Sequence, residues 1–395
     1  MIRGCRDCSF LFECGGPNGH PDLFGCHRVT REVCRANGWT CPDCSPGEFL
    51  RRKVAIELRS KVNSRLIGPS LLLPSYVPVL QHRYGWSGRL PFEIVAIPTS
   101  KVLGGRGGRF GPLFDSAKEL RRKFRLGLDT QVLLVSVNTD PFLERYWRWA
   151  KVTRTPQRLA ALDIAGITIP NFSFFSDAPR FHHLYNRGRL QACLNELADA
   201  GVPVVPHIHA LTSGDLTYWL AWLRKHPEVR HVCREFQTGN DEDAVDELAR
   251  LQDDVGRALH PVIVGGARFA ARLRGRFAHF TIVDSRPFMA ALHRRRAVDR
   301  DGLLDWKPYP TRTRREVGAL LKHNIELYSE SFEKPIVRQT SMFDLFDRLS
   351  VRQATSASSQ PTFATVATDG RRAVRLPMLI ETSALRIGNE DAGRA

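Results

Sequence analysis

Long apolar runs are missing from this chain of 395 residues. No stretch approaches the ~18 consecutive apolar residues of a membrane-crossing helix, so helical membrane spans are excluded. The opening segment MIRGCRDCSF has neither the apolar core of a signal peptide nor the pattern of an amphipathic transit helix, so the expected location is cytoplasmic. Cysteine almost vanishes after residue 44: seven of the nine lie in the first 44 residues, which is not the spacing of a secreted disulfide scaffold. Lysine is scarce as well, ten of the 58 basic residues, the rest being arginine. Acidic residues number only 41, which leaves a formal charge of +17. No glycine fingerprint follows the first strand pattern, and no glycine loop ends in Lys-Ser or Lys-Thr. A dinucleotide-binding open sheet and nucleotide hydrolysis therefore drop out.

What is present is an ordinary globular composition, 43% hydrophobic and 25% charged, with an unusual excess of arginine. Guanidinium forks suit phosphates and base edges, so the charge balance points to nucleic acid as partner. The excess is also concentrated. Between Gly265 and Arg315 there are 13 Lys and Arg against 4 Asp and Glu, more than half the net charge. ARFAARLRGRF and HRRRAVDR are expected to carry Arg268, Arg294, Arg295 and Arg296 along helices after strand ends, with Arg286 beside them and Phe288, Trp306 and Tyr309 as stacking platforms. The segment GGRGGRFGP (104–112) reads either as a loop touching phosphates through Arg106 and Arg109 or simply as a mobile loop.

Four regions separate along the chain. Residues 1–48 are rich in Cys and Gly and nearly without periodicity, so a metal is expected to order them. Cys5 and Cys8 form one CxxC, Cys41 and Cys44 a second, and Cys14, Cys26, Cys34 and His27 lie between. Seven thiolates and one imidazole would supply one or two structural zinc ions, with an iron–sulfur cluster as the alternative. Residues 49–90 read as a connecting helix and linker. Residues 91–330 alternate apolar β-branched runs with helical stretches, from FEIVAI (92–97) to HFTIVDS (279–285). That rhythm predicts βαβ units on a parallel sheet, an α/β fold. Seven strands are clear and PSLLLPSYVPVL is a possible eighth; their polar endings favour a (β/α)8 TIM-like barrel over an open sheet. The acidic run 241–254 reads as an exposed helix face, Cys193 and Cys233 as core. Residues 331–395 are expected to form a C-terminal extension, partly disordered, that is Ser/Thr/Ala-rich after about Ser350.

The strand ends supply the candidate chemistry. Asp284 follows TIV, Glu235 and Gln237 end another strand, Asn171 and Asp177 follow a third, and His209 follows His207 on a fourth. Two carboxylates on facing strands can divide acid and nucleophile roles at an electron-poor carbon, while Asn171, Gln237 and the Gly265-Gly266 backbone suit the edge of a planar base. The competing readings are core histidines in PHIHA and a helix N-cap at Asp177.

At the level of architecture this resembles the tRNA-guanine transglycosylase superfamily, over about 91–287. The resemblance implies Asp284 as nucleophile, Gly265 and Gly266 at the base and Gln237 as amide reader. It departs in its cysteines, which precede the strands, and in a short spacing from Gly-Gly to Asp284. The expected function is a DNA-acting N-glycosylase or base transglycosylase that flips out a modified base, with DNA favoured over RNA and a role in defence against phage. Two alternatives stand beside it: a non-catalytic zinc-containing nucleic-acid-binding protein, and an iron–sulfur enzyme acting on a small molecule.

Overall fold

The computed structural model describes residues 8–15, 30–39, 46–60, 66, 68, 73–106, 109–237, 242–300 and 303–333. Three helices open the described chain: α1 (Leu11–Cys14), α2 (Arg31–Ala36) and α3 (Pro46–Ser60). Eight parallel strands follow, with an antiparallel hairpin after the second and another after the last. They are β1 (Tyr76–Pro78), β2 (Ile94–Pro98), the hairpin β3 (Leu103–Arg106) and β4 (Arg109–Pro112), β5 (Gln131–Val135), β6 (Gly166–Thr168), β7 (Val204–Val205), β8 (His231–Phe236), β9 (His260–Gly265), β10 (Thr281–Asp284), and the hairpin β11 (Arg295–Arg300) and β12 (Leu303–Pro308). The intervening and closing helices are α4 (Ala117–Lys123), α5 (Asp140–Trp149), α6 (Thr155–Ala160), α7 (Arg180–Asp199), α8 (Ser213–Lys225), α9 (Glu242–Val255), α10 (Ala270–Arg274), α11 (Arg286–Leu292) and α12 (Arg314–Glu333).

The α/β expectation holds: two four-stranded parallel sheets run in the orders β1-β10-β9-β8 and β2-β5-β6-β7. At one seam Val79 pairs with Ala96, and the Leu80 N–H donates to the Ala96 carbonyl at 2.8 Å. At the other His207 pairs with Cys233, where the Ile208 N–H donates to the Cys233 carbonyl at 2.9 Å. The strands are apolar on both faces, as parallel strands covered on both sides must be. One face joins Val77, Ala96, Leu133, Val135, Val205, Cys233, Val262, Val264 and Val283 from both sheets in a single cluster. The opposite face, with Val95, Ile97, Leu134, Ile167, Ile263 and Ile282, packs under the helices. Each such side chain taken from water contributes on the order of 1.5–3 kcal/mol, so the two clusters dominate the stability of the strands.

The described part of the Cys-rich segment packs onto α7 within one compact unit that continues to residue 337. Cys14, Phe49 and Ile56 meet Phe181, Leu184 and Tyr185, and Arg187 on α7 donates to Glu13 at 2.7 and 2.8 Å. Sixteen of the 20 residues of α7 are buried, which its mixed sequence does not advertise. Its cations are paired instead: Arg180 forks onto Asp215 at 2.7 and 2.9 Å, Arg187 reaches the same carboxylate at 3.2 Å, and Arg189 bonds Glu144 at 2.7 Å.

Five sequence expectations change. The boundary at 91 leaves out β1, the possible eighth strand in PSLLLPSYVPVL, which pairs with β10 through Tyr76 and Ile282. The 104–112 segment is not a loop but the β3–β4 hairpin, with Arg106 opposite Arg109; those two side chains lie outside the described residues. HRRRAVDR is β11, not a helix, because Arg294 at φ +57° ends the preceding turn and Ala297 then pairs with Trp306 across the hairpin. Phe288 is 1% exposed and serves as core, so it cannot stack a base. The acidic run forms α9, and its acids do not all face solvent alone: Asp246 meets Arg272, and Glu247 lies 3.7 Å from Arg234. The extension after residue 333 lies outside the described residues.

Candidate active site

Side-chain parity decides which strand-end groups face one another. On β8, Glu235 shares the face of Cys233, which belongs to the cluster joining the two sheets. The carboxylate is buried and accepts the backbone N–H of Gln237, which fixes it at the end of the strand. His207 stands in register with Cys233 and shares the face of Val205, so its ring enters the same interior. The ring is fully buried, and both of its nitrogens lack a hydrogen-bond partner among the described residues. Burial, reinforced by Arg234, lowers its pKa to about 3. His209 stacks on Phe174 with ring centres 4.6 Å apart, and its Nδ1 is likewise buried without a partner. Burial again comes first among the causes that hold it well below the ordinary value. Both imidazoles are therefore neutral at pH 7, each able to donate one hydrogen bond and accept another.

Asn171, after β6, donates its backbone N–H to the Ser136 carbonyl at 3.2 Å and leaves its side-chain oxygen buried without a partner among the described residues. Nearby, Asn138 donates to Thr99 Oγ1 at 2.7 Å. Buried polar atoms are ordinarily paired, so orphans on His207, His209 and Asn171, all beyond C-terminal strand ends, mark a place where a ligand's hydrogen bonds fit.

Asp284 belongs elsewhere. In β10 its parity is that of Ile282, which lies under the helices, and not that of Val283. Its carboxylate accepts the Arg286 N–H, while its carbonyl accepts the Tyr76 hydroxyl at 3.0 Å. Burial raises its pKa, and its charge in turn helps raise those of Tyr76 and Tyr328 on the side of α12. The expectation that Asp284 shares a mouth with Glu235 is thus corrected: in the run TIVD both faces are apolar, so alternation could not tell which way the carboxylate turned.

The other candidates distribute as follows. Gln237 is exposed at the end of β8. Asp177 is exposed on the loop before α7, whose N-cap position is Pro179 and not Asp177. Gly265 and Gly266 take φ of +78° and +66°, and a Cβ on either would come within 2.9 Å of Gln237 or Phe236. Packing against β8 thus accounts for both glycines. Arg268, Arg286, Arg294 and Arg295 are exposed, and Arg296 is half-buried with its guanidinium 5.1 Å from the Tyr309 ring centre. Among the metal candidates, Cys8 is half-buried, Cys14 sits in the apolar cluster on α7, and Cys34 is buried on α2. No group of three donors that could hold a metal occurs among the described residues, and Cys5, Cys26, His27, Cys41 and Cys44 lie outside them. Sequence reasoning had placed His207 beside His209 at a strand end; its pairing with Cys233 across the seam could not be read from VVPHIHA alone.

No protein-family model matches the chain, and no curated protein matches it.

Proposed function

We propose that the protein cleaves or exchanges the N-glycosidic bond of a base in nucleic acid, using Glu235 where the superfamily resemblance implied Asp284. The observation that carries this reading is the grouping of a buried carboxylate, two neutral imidazoles and an unpartnered amide oxygen at neighbouring C-terminal strand ends. A flipped base would lie against Phe174 and His209 and exchange hydrogen bonds with His207 and Asn171. As the C1′–N bond breaks, its electron pair leaves with the base, which takes up a proton, and positive charge develops at C1′. Glu235 either attacks C1′ to form an ester, whose C1′–O bond is then displaced by water or an incoming base to restore the carboxylate, or removes a proton from a water that attacks C1′ directly.

The strands are read as one (β/α)8 barrel. In its favour, the pairings at Val79–Ala96 and His207–Cys233 join the two sheets at both seams, and one apolar cluster draws on both. Active sites of such barrels gather at C-terminal strand ends, where the orphaned groups lie. The Cys-rich segment is read as a structural zinc module on the strength of its two CxxC pairs. The arginine excess favours nucleic acid, DNA before RNA, and the superfamily resemblance extends to defence against phage. The test is incubation with unmodified and modified genomic DNA and with RNA, followed by mass spectrometry for free bases and an abasic-site assay. Released base supports the reading, and none from any substrate refutes it.

A further inference from the structure

The arginines of this chain fall into two kinds. Those inside the fold have carboxylates: Arg180 and Arg187 share Asp215, Arg189 has Glu144, and Arg121 has Asp163. Arg83, Lys101, Arg286 and Arg295 make no ion pair among the described residues. These four line two hollows beyond the C-terminal ends of β1, β2 and β10. The first, about 360 Å³, presents His82, Arg83, Tyr84 and Lys101 above a floor of Phe114 and Phe124. The second, about 540 Å³, presents Arg286, Met289, His293, Arg295 and Trp306. Neither has an acidic residue among the described residues of its lining. They are neighbours, because His82 of the first touches Phe288 of α11, the helix that forms a wall of the second, at 5.1 Å between ring centres.

Two acid-free cationic hollows side by side are a phosphate-binding pattern, and the rings beside them narrow it. Tyr84 is 64% exposed, Tyr309 is 41% exposed beneath Arg296, and Met289 is 40% exposed. Exposed aromatic faces next to cations suit unpaired bases, which a duplex keeps stacked inside itself. We infer that the rim formed by Arg83, Lys101, Arg286 and Arg295 is a track for the backbone of single-stranded nucleic acid, with successive phosphates seated in the two hollows. The inference rests on the nucleic-acid reading of the strand ends and adds that the strand is single and where it runs.

Fluorescence anisotropy with a labelled oligothymidylate of about 12 nucleotides tests it, with the matching oligouridylate and a duplex as further arms. The full chain is expected to bind both single strands more tightly than the duplex, and the stronger of the two identifies the sugar preferred. Arg83→Ala with Lys101→Ala, and separately Arg286→Ala with Arg295→Ala, should each weaken binding about tenfold and lower the salt slope by about 2. The pair Arg224→Ala with Arg250→Ala, exposed on α8 and α9, the helices that precede and follow β8, should bind like the parent. Equal affinity in both rim pairs and the parent, or tighter binding of the duplex, overturns the inference. Base release is read on the same strands. Its survival in rim variants that bind normally overturns the track alone, whereas the expected binding pattern without any base release supports the track and removes the chemistry.

Discussion

Glu235 and Asp284 are both carboxylates at the ends of apolar strands, and strand parity alone gives them different tasks. Glu235 faces the interior shared with His207, while Asp284 accepts the Arg286 N–H and lies toward Tyr328. Asp284→Ala should therefore cost roughly 1 kcal/mol, the usual net loss of one hydrogen bond, read as a lower midpoint in urea with base release retained. The sequence marked both residues as strand-end acids, but TIVD carries no polar alternation from which the direction of Asp284 could be read. The buried imidazoles make a second prediction. Burial lowers His182, His207 and His260 to about 3 and His231 to about 4. The unfolded chain takes up these protons near pH 6.5 while the folded chain refuses them, so their stabilisation is present above that pH and is lost as pH falls toward 4. Each costs about 1.4 kcal/mol per pH unit in that window, and thermal unfolding followed from pH 7 to 4 should show a steep fall in Tm.

At the scale of elements, strands were more legible than the helices that serve them. Runs such as VLLVSV and HPVIVGGA are apolar on both faces because both are covered, and they appear as β5 and β9 where the pattern put them. Helix α7 was legible as a helix but not as a buried one, since its arginines and histidines imitate a solvated surface. Only the partners Asp215, Glu144 and Glu13, distant in sequence, make that burial possible. Asp215→Ala leaves Arg180 and Arg187 in the interior without the carboxylate they share, so a loss of about 3–5 kcal/mol is expected by chemical denaturation. The turn after β9 has its own requirement. Gly266→Ala combines a left-handed backbone with a contact of 2.9 Å to the Phe236 Cβ, and a cost on the order of 1–3 kcal/mol is expected.

For the molecule as a whole, charge divides by depth. Interior arginines are neutralised by carboxylates, and the surplus of +17 includes the unpaired cations around the β10–β1–β2 strand ends. Composition announced the surplus and its location near 265–315; it could not announce Arg83 and Lys101, which reach the same rim from about two hundred residues earlier in the chain. The Cys-rich segment makes a separate prediction of one or two zinc ions per chain by elemental analysis, in a colourless protein. A brown, iron-containing protein after anaerobic purification would favour the cluster instead. The most direct test of the glycosidic reading is single-turnover base release by the parent, Glu235→Gln and Asp284→Asn on the substrate with the highest activity. The account predicts that Glu235→Gln loses base release by several orders of magnitude while binding the strand normally, and that Asp284→Asn retains it. Release at the parent rate by Glu235→Gln, or its loss in Asp284→Asn alone, would contradict it.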